Sequence, residues 1–194
     1  MDRIILGSQS PRRKEILSFF NLPFLQVTPD FDENSIIYRR DPITYVTLLS
    51  EGKAQVLRPL YPNDLILTAD TIVYRMGKIY NKPKTEDEAF QMLSELVGKW
   101  HSVFTGVTVL LGETVHSAWE ETRVLFNPMT PEEIRNYHSK IHWMDKAGGY
   151  AIQMAGGLIV KKIDGCYYNV MGLPINTVYS LLKKNGIELW DYVQ

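Results

Sequence analysis

The sequence predicts a mixed α/β domain built on a long, partly antiparallel sheet. Near its start, a short apolar segment runs through a turn into a capped helix. Further on, residues 101–126 form two long segments that alternate in polarity and join near Gly112, as an antiparallel pair does. No repeat, low-complexity tract or linker divides the 194 residues. We therefore expect one domain, residues 1–194, either compact or elongated with two lobes around a central cleft.

Strands and helices alternate in the first part of the chain. Ser10 followed by Pro11 is the N-cap and first-turn signature of a helix, which should end near Phe20. Asp41 with Pro42 gives a similar signal for a second helix through residue 57. The segments around these helices that read as strands are RIIL, PFLQV and DLILTAD, with the acidic PDFDENS as a loop.

The second part of the chain adds a hairpin, long strands and further helices. The segment TIVYRMGKIYNKP should form a hairpin that turns at Met76 and Gly77. Two threonines, each followed three residues later by glutamate, match the capping box and predict helix starts at Thr85 and Thr130. The remaining expected elements are helix ends at Gly98 and near His138, a strand LIVKKID, and a helix from Pro174 to KKNG.

Composition narrows the class of protein. The chain is 45% hydrophobic and 22% charged, which suits a folded globular domain with a sizeable core. Its formal net charge of −1 and scattered aromatic residues give no basic stripe for nucleic acid, so no nucleic-acid partner is expected. No apolar run approaches the ~20 residues of a membrane span, and no signal-peptide pattern is seen, so we expect a cytoplasmic protein without a membrane partner. The single cysteine, Cys166, fits a reducing compartment.

The stretch SQSPRR is the first candidate for chemistry. A helix N-terminus favours anions, yet Arg12 and Arg13 place two cations there. The free N–H groups of the first turn, the Ser8 hydroxyl and the two guanidinium groups can converge on one phosphate-sized anion. The structural alternative is an exposed basic turn whose arginines pair with surface carboxylates.

Two carboxylates are candidates for metal binding or proton transfer. Asp70 follows what reads as a buried strand, and a strand end is well placed to meet a ligand in an open α/β sheet. Glu33, with Asp30 and Asp32, could add an oxygen ligand for Mg²⁺ or Mn²⁺. Taken singly, Asp70 and the acidic loop are each read first as a solvated turn.

Two lysines complete this set. Lys82 precedes a proline on an extended dipeptide, and Lys53 lies in a helix beside small neighbours that could admit a ligand. Each alone resembles a surface lysine, but together with the arginines and carboxylates they suit metal-assisted phosphoryl or nucleotidyl chemistry. In contrast, His138 and His142 share a helical face without a third ligand, which is a poor zinc site, and Cys166 reads as a packed thiol.

The order of these motifs resembles the Maf family, the septum-formation-inhibitor-like nucleoside triphosphate pyrophosphatases, from end to end. The matching stretches are LGSQSPRR, DENS, EGKA, TADTIV, NKP, HSVFTGV, DKAGGYAIQ and YYNVMGLP. The resemblance implies a Maf/ITPase-like α/β fold in which helices wrap a long sheet around a nucleotide cleft, often as a dimer. It also implies a divalent-metal-dependent reaction that releases pyrophosphate from a nucleotide.

Residue roles are carried over from this resemblance position by position. It implies that Asp70 acts on metal or water, and that Glu33 helps to hold the metal. Gln153, with Thr71 and Arg13, resembles the branch that prefers thymidine and uridine triphosphates. The residues that would bind the phosphates are Ser8, Arg12, Arg13, Lys53 and Lys82. The sequence departs from the family pattern at Met154, where glycine is usual, and at Gly52, where a longer side chain is frequent.

Two other functional classes fit the same residues. A regulatory protein of cell division would bind nucleotide in the same cleft and act through a protein partner. A phosphatase of nucleotides or small phosphoesters would release orthophosphate instead. Turnover of a triphosphate to monophosphate separates the pyrophosphatase from the regulatory protein, and release of pyrophosphate rather than orthophosphate separates it from the phosphatase.

Overall fold

The computed structural model describes residues 3–193, which contain seven strands and seven α-helices. The strands are β1 (Ile4–Gly7), β2 (Phe24–Val27), β3 (Leu65–Arg75), β4 (Lys78–Tyr80), β5 (Trp100–Leu111), β6 (Thr114–Phe126) and β7 (Val160–Asp164). The helices are α1 (Pro11–Leu17), α2 (Pro42–Leu57), α3 (Glu86–Leu96), α4 (Pro131–His138), α5 (Gly156–Ile159), α6 (Tyr167–Met171) and α7 (Ile175–Lys184).

All seven strands form one mixed sheet, which confirms the predicted fold class. The strand order is β2-β1-β3-β5-β6-β7, and β4 pairs with β3 alone. β1 pairs parallel with both β2 and β3, whereas the pairs from β3 through β5 and β6 to β7 are antiparallel. The predicted long hairpin is β5 and β6, and the predicted turn at Met76 and Gly77 joins β3 to β4 with both residues at positive φ.

The sheet carries a core on each face. On one face, α1 and α7 pack with β1, β3 and β5 in the largest buried cluster. On the other face, α2 packs against β3 and β5. A Cβ atom on Gly106 of β5 would lie only 2.3 Å from the backbone oxygen of Val46 in α2. Only glycine therefore allows α2 to lie this close to the sheet, at the residue that pairs with Asp70.

The prediction that Asp70 ends a strand is wrong. Asp70 lies in the middle of the 11-residue β3, because β5 pairs with β3 continuously from Ile66 to Tyr74. The strand that does end there is β1, whose last residue, Gly7, pairs with Thr68. Beyond Thr68, no strand within residues 3–193 pairs with β3 on the β1 side until β4, so the site still lies at the carboxyl end of the parallel strand β1.

Several element boundaries differ from the sequence prediction. Helix α1 ends at Leu17 rather than near Phe20, since Phe20 instead forms an isolated bridge with Val193. The strand expected from LIVKKID begins at Val160, because the two residues before it belong to α5. The short helices α5 and α6 were not predicted; both are too short for a clear helical period. The structure shows no helix within residues 3–193 with the length and apolar character of a membrane span.

One of the two predicted capping boxes is complete. At α4, the Thr130 hydroxyl accepts from the backbone N–H of Glu133, whose carboxylate accepts from the N–H of Thr130. At α3, the Thr85 hydroxyl accepts from the N–H of Glu88, but the Glu88 carboxylate accepts from the N–H of Lys84 instead. Both threonines nonetheless start a helix, as predicted.

Candidate active site

A cleft of about 530 Å³ opens where β1 ends and β3 continues. Its walls include the N-terminus of α1, the C-terminal half of α2, the segment around Lys82 and the loop between α4 and α5. The sequence-predicted site residues all line this cleft: Ser8, Arg12, Arg13, Glu33, Lys53, Asp70, Thr71, Lys82 and Gln153. The structure thus brings together side chains that lie up to 145 positions apart in the chain.

Lys53 is the centre of the charged cluster. Its Nζ atom lies 2.7 Å from Glu33 Oε1 and also donates a hydrogen bond to Asp70 Oδ1. Lys53 and Asp70 are only 8% and 7% exposed, whereas Glu33 is about half exposed. An ammonium has three N–H donors, so one remains for a ligand oxygen. Asp70 Oδ2 has no hydrogen-bond partner within residues 3–193 and is left for a water molecule or a cation.

Glu33 is held in its charged form. Burial alone would raise the pKa of Glu33, but the Lys53 ammonium, assisted by Lys82 and Arg13, outweighs burial and lowers this pKa below its ordinary value. The interactions of ionised Glu33 therefore stabilise the fold above the ordinary glutamate pKa and are lost as the pH falls through the lowered value. At neutral pH, Glu33 is a carboxylate available to a cation.

The space over Gly52, the small neighbour of Lys53, is not open to a ligand, although the sequence suggested that it could be. A Cβ atom on Gly52 would lie 2.3 Å from Cζ of Phe31, so the Phe31 ring fills that space. Phe31 lines the cleft two residues before Glu33. Gly52, where the family often has a longer side chain, thus seats the loop that carries Glu33.

Ser8 and Arg13 are joined in one hydrogen-bonded group. The Ser8 hydroxyl accepts from Arg13 Nη1 and from the N–H of Ser10, each at 3.1 Å. Arg13 also donates to the backbone oxygen of Gly172 at 2.7 Å and to the Thr71 hydroxyl at 3.0 Å. Burial lowers the pKa of the Arg13 guanidinium, and the Asp70 carboxylate opposes this shift. The arginine is held rigidly, at a capped helix start as predicted.

Asp145 is a cleft residue to which sequence reasoning assigned no role. Arg12 Nη1 donates to Asp145 Oδ2 and Lys146 Nζ donates to Asp145 Oδ1, each at 2.6 Å. Burial would raise the pKa of Asp145, but the bonds from Lys146 and Arg12 lower it. Asp145 thus fixes Arg12 across the cleft. Asp145 is the first residue of the matched stretch DKAGGYAIQ. It lies 133 residues from Arg12, so the sequence alone did not indicate that the two side chains pair.

Lys82 and Gln153 present free polar groups. Lys82 is exposed and makes no direct ion pair within the described residues, although its charge acts on Glu33. The Gln153 side chain has no hydrogen-bond partner within the same range and lines the cleft. Both groups are available to a ligand, one for charge and one for hydrogen bonds.

The acidic loop contributes one ligand candidate rather than three. Asp32 caps the short 3₁₀ turn Glu33–Ser35 by accepting from the N–H of Asn34, and Asp30 does not line the cleft. No group of three or more His, Cys, Asp or Glu side chains suited to a metal occurs within residues 3–193. Glu33 and Asp70 still fit Mg²⁺ or Mn²⁺, which use one or two protein carboxylates together with substrate phosphates and water.

The two histidines do not form a metal site. His138 is buried, and its Nε2 atom lies 3.0 Å from the backbone oxygen of Gly149. Burial lowers its pKa, so the ring is neutral at pH 7. His142 lines the cleft, but no third ligand joins the pair within residues 3–193.

Taken together, five cationic and three carboxylate side chains line the cleft, which gives it a local charge of +2 in a chain whose net charge is −1. The chain is thus a mixed α/β protein with a charged cleft. The rigid arginines, the central lysine and the carboxylates of Glu33 and Asp70 suit a phosphorylated ligand and a divalent cation. The Maf-like protein family model matches residues 3–185, and the chain belongs to the Maf family.

The chain is similar in sequence to other proteins over almost its whole length. A dTTP/UTP pyrophosphatase of Chlamydia felis is 45% identical over 192 residues, which are 98% of each chain. A dTTP/UTP pyrophosphatase of Clostridium perfringens is 43% identical over 190 residues, 96% of this chain and 99% of the relative. A solved structure of the Staphylococcus aureus Ham1 protein overlaps 64% of this chain and 71% of its own, with a TM-score of 0.45 and 10% identity.

Met154, where the family resemblance implies a glycine, lies outside the cleft. The Met154 side chain is 94% exposed and does not line the cleft. Its backbone φ is +54°, in the left-handed region that glycine enters at little cost. A glycine at this position would suit the turn after Gln153 and would not change a side chain that lines the cleft.

Proposed function

We propose that this protein is a nucleoside triphosphate pyrophosphatase that hydrolyses dTTP and UTP to the monophosphate and pyrophosphate with a divalent cation, Mg²⁺ or Mn²⁺. The observation that carries the proposal is Lys53, buried between Glu33 and Asp70 in a cleft rich in cations. Two relatives that are dTTP/UTP pyrophosphatases, at 45% and 43% identity, support the reaction and the substrate class.

The phosphates bind along the cationic side of the cleft. At the start of α1, Pro11 has no N–H and the Arg13 N–H is bonded to the Ser10 hydroxyl. The backbone N–H of Arg12 and the Ser8 hydroxyl are the groups that can donate to phosphate oxygens here. Arg12 and Arg13 are held in place by Asp145 and by Gly172, so they bind without losing much side-chain entropy. Lys53 and Lys82 add the charge that a pyrophosphate leaving group requires.

Asp70 is the proton acceptor in this proposal. One water hydrogen goes to Asp70 Oδ2 while the water oxygen forms a bond to the α-phosphorus. The bond between the α-phosphorus and the oxygen bridging to the β-phosphate breaks, and pyrophosphate leaves. Lys53 holds Oδ1, which fixes the carboxylate and leaves its other oxygen for the water.

Glu33 and Asp70 are the side chains that would hold the divalent cation. When bound, the cation neutralises negative charge on the phosphoryl oxygens and the leaving group. Lys53 contacts both carboxylates and so holds Glu33 and Asp70 side by side, where they would bind the cation.

The products test the reaction. Incubation of dTTP or UTP with the protein and Mg²⁺ or Mn²⁺ should give monophosphate and pyrophosphate in equal amounts by anion-exchange chromatography. Chelation with EDTA should stop the reaction, because the pyrophosphate charge would be left unscreened.

Three outcomes would contradict the proposal. Orthophosphate as the first product would indicate a phosphatase, and nucleotide binding without turnover would indicate a regulatory protein. An unchanged rate after chelation would remove the cation from the mechanism.

The base selectivity should depend on Gln153. Its amide offers one donor and one acceptor, which match the O4 and N3–H edge of thymine or uracil, whereas cytosine reverses that polarity. We therefore expect kcat/KM to be higher for dTTP and UTP than for CTP, by up to ~10⁴-fold. Gln153→Ala should reduce this preference. An equal loss for every base in Gln153→Ala would show that the glutamine is structural.

Two further features belong to the proposal. The single cysteine and the absence of a membrane-spanning helix within residues 3–193 are compatible with a cytoplasmic enzyme of nucleotide metabolism. A homodimer is the assembly that the family resemblance implies, and sedimentation analysis would test it.

A further inference from the structure

The loop that carries Gln153 is anchored by side chains behind the cleft. Three consecutive residues of this loop, Gly149, Tyr150 and Ala151, each make a hydrogen bond to a buried side chain. The Tyr150 hydroxyl lies 2.8 Å from His101 Nε2 on β5. Gln153, two residues after Ala151, makes no side-chain hydrogen bond within residues 3–193, so its position is set by this backbone.

Tyr137 of α4 makes two hydrogen bonds to this loop, whereas His101 and His138 make one each. Its hydroxyl donates to the backbone oxygen of Ala151 and accepts from the backbone N–H of the same residue, both at 3.0 Å. Tyr137 is 6% exposed and Ala151 is 8% exposed, so water cannot replace these bonds easily. Burial raises the pKa of Tyr137 to about 12, which keeps the hydroxyl neutral and able to both donate and accept.

The Tyr137 hydroxyl makes both backbone hydrogen bonds that a paired strand would make to Ala151. It satisfies the donor and the acceptor of one residue that lies outside the sheet. Ala151 is also held from the other side, because Gly156 lies so close that a Cβ there would be 2.1 Å from the Ala151 oxygen. Ala151 is thereby fixed between α4 and α5, with Gln153 on the short turn that follows.

We infer that Tyr137 is a specificity-positioning residue, which sets the base preference of the cleft by fixing the backbone from which Gln153 reaches the pyrimidine. This inference rests on the proposed function, since it assumes that Gln153 reads the base. Tyr137 does not line the cleft and touches no substrate. It acts through Ala151, and its loss should affect base recognition while leaving the phosphate cluster intact.

The magnitude follows from the two lost bonds. Tyr137→Phe keeps the ring among its buried neighbours but leaves the N–H and the oxygen of Ala151 unpaired in a buried place. The loop will move to hydrate them, and a selective hydrogen bond tolerates little displacement. We expect KM for UTP to rise about tenfold, kcat to change little, and the ratio of kcat/KM for UTP over CTP to fall about tenfold.

Inhibition by inorganic tripolyphosphate, which has no base, measures binding of the phosphates alone. Its inhibition constant in Tyr137→Phe should stay within about twofold of the wild-type value, since Ser8, Arg13 and Lys53 make no hydrogen bond or ion pair to this loop within residues 3–193. Hydrogen–deuterium exchange should show faster exchange in the peptide covering residues 147–155, because the Ala151 N–H loses its acceptor.

Tyr179→Phe is the matched control. Tyr179 lies on α7, away from the cleft, and its hydroxyl accepts a hydrogen bond from Lys183 at 3.2 Å. Removing this hydroxyl should leave the UTP-to-CTP ratio and the exchange of residues 147–155 at wild-type values. A change in either would show that loss of any tyrosine hydroxyl has the same effect, which would overturn the assignment.

The outcomes separate this inference from the proposed function. If wild-type protein does not release pyrophosphate or does not prefer UTP over CTP, the proposed function fails, and faster exchange in Tyr137→Phe would still establish the anchor. If the wild type prefers UTP and Tyr137→Phe keeps that ratio, the specificity role is wrong. An equal loss for UTP, CTP and tripolyphosphate would make Tyr137 a general structural residue and would also overturn the inference.

Discussion

Replacing Asp70 by asparagine is expected to lower the rate of pyrophosphate release by roughly 10²–10⁴-fold, the usual effect of removing a general base. Asparagine keeps the size of the side chain and an oxygen that can accept from Lys53, but it has almost no basicity and no negative charge. Any loss of cation affinity adds to the effect. Because Asp70 is 7% exposed in the middle of β3, the similar size also protects the packing around it.

Nucleotide binding should survive the same substitution. The residues proposed to hold the phosphates, among them Ser8 and Arg13, depend on hydrogen bonds that do not involve Asp70. Single-turnover assays with UTP would measure the chemical step, and calorimetry with a slowly hydrolysed UTP analogue would measure binding. The expected result is a collapse of the rate with a dissociation constant within about tenfold of wild type.

Asp191→Asn is the control for this test. Asp191 is exposed on the C-terminal 3₁₀ turn and does not line the cleft, so its amide variant should keep wild-type turnover. If Asp70→Asn retains most of the wild-type rate at saturating cation, Asp70 is not the proton acceptor. Glu33 would then be the residue to test, since it shares Lys53 with Asp70.

The sequence predicted the fold well wherever local signals were strong. The caps at Ser10, Asp41 and Thr130 marked helix starts because a capping side chain followed by proline suits the N-cap and first helical positions. The hairpin turn at Met76 and Gly77 was also found from local residues. Strand lengths were less certain. The continuous β3 could not be read from its own residues, because its length is set by pairing with β5.

The same limit applies to the site. Residue types and spacing, together with the family resemblance, identified the side chains of the cleft. They could not show that Asp145 holds Arg12, since that pair depends on how a distant loop folds onto α1. Nor could they show that Phe31 lies on Gly52, where an open space for a ligand was expected. Contacts between distant segments decide these arrangements, and one sequence contains no direct signal for them.

Replacing Lys53 by methionine is expected to reduce both activity and stability. Methionine has a similar length and an apolar chain, so it fills the space but leaves Asp70 buried without its partner. Removing one member of a buried ion pair costs about 3–5 kcal/mol in the free energy of unfolding. The phosphates also lose a cation, so pyrophosphate release should fall by roughly 10²-fold or more.

A double variant separates the two effects. In Lys53→Met with Asp70→Asn, no unpaired charge remains at Asp70, so the free energy of unfolding should recover most of the loss seen in Lys53→Met alone. Activity should stay absent, because the proton acceptor and the cation are both missing. Urea unfolding at pH 7 measures the first quantity and pyrophosphate release the second. If Lys53→Met unfolds within about 1 kcal/mol of wild type, the ion pair does not stabilise the fold. Lys53 would then act on the substrate alone, and its buried position between two carboxylates would reflect catalysis rather than folding.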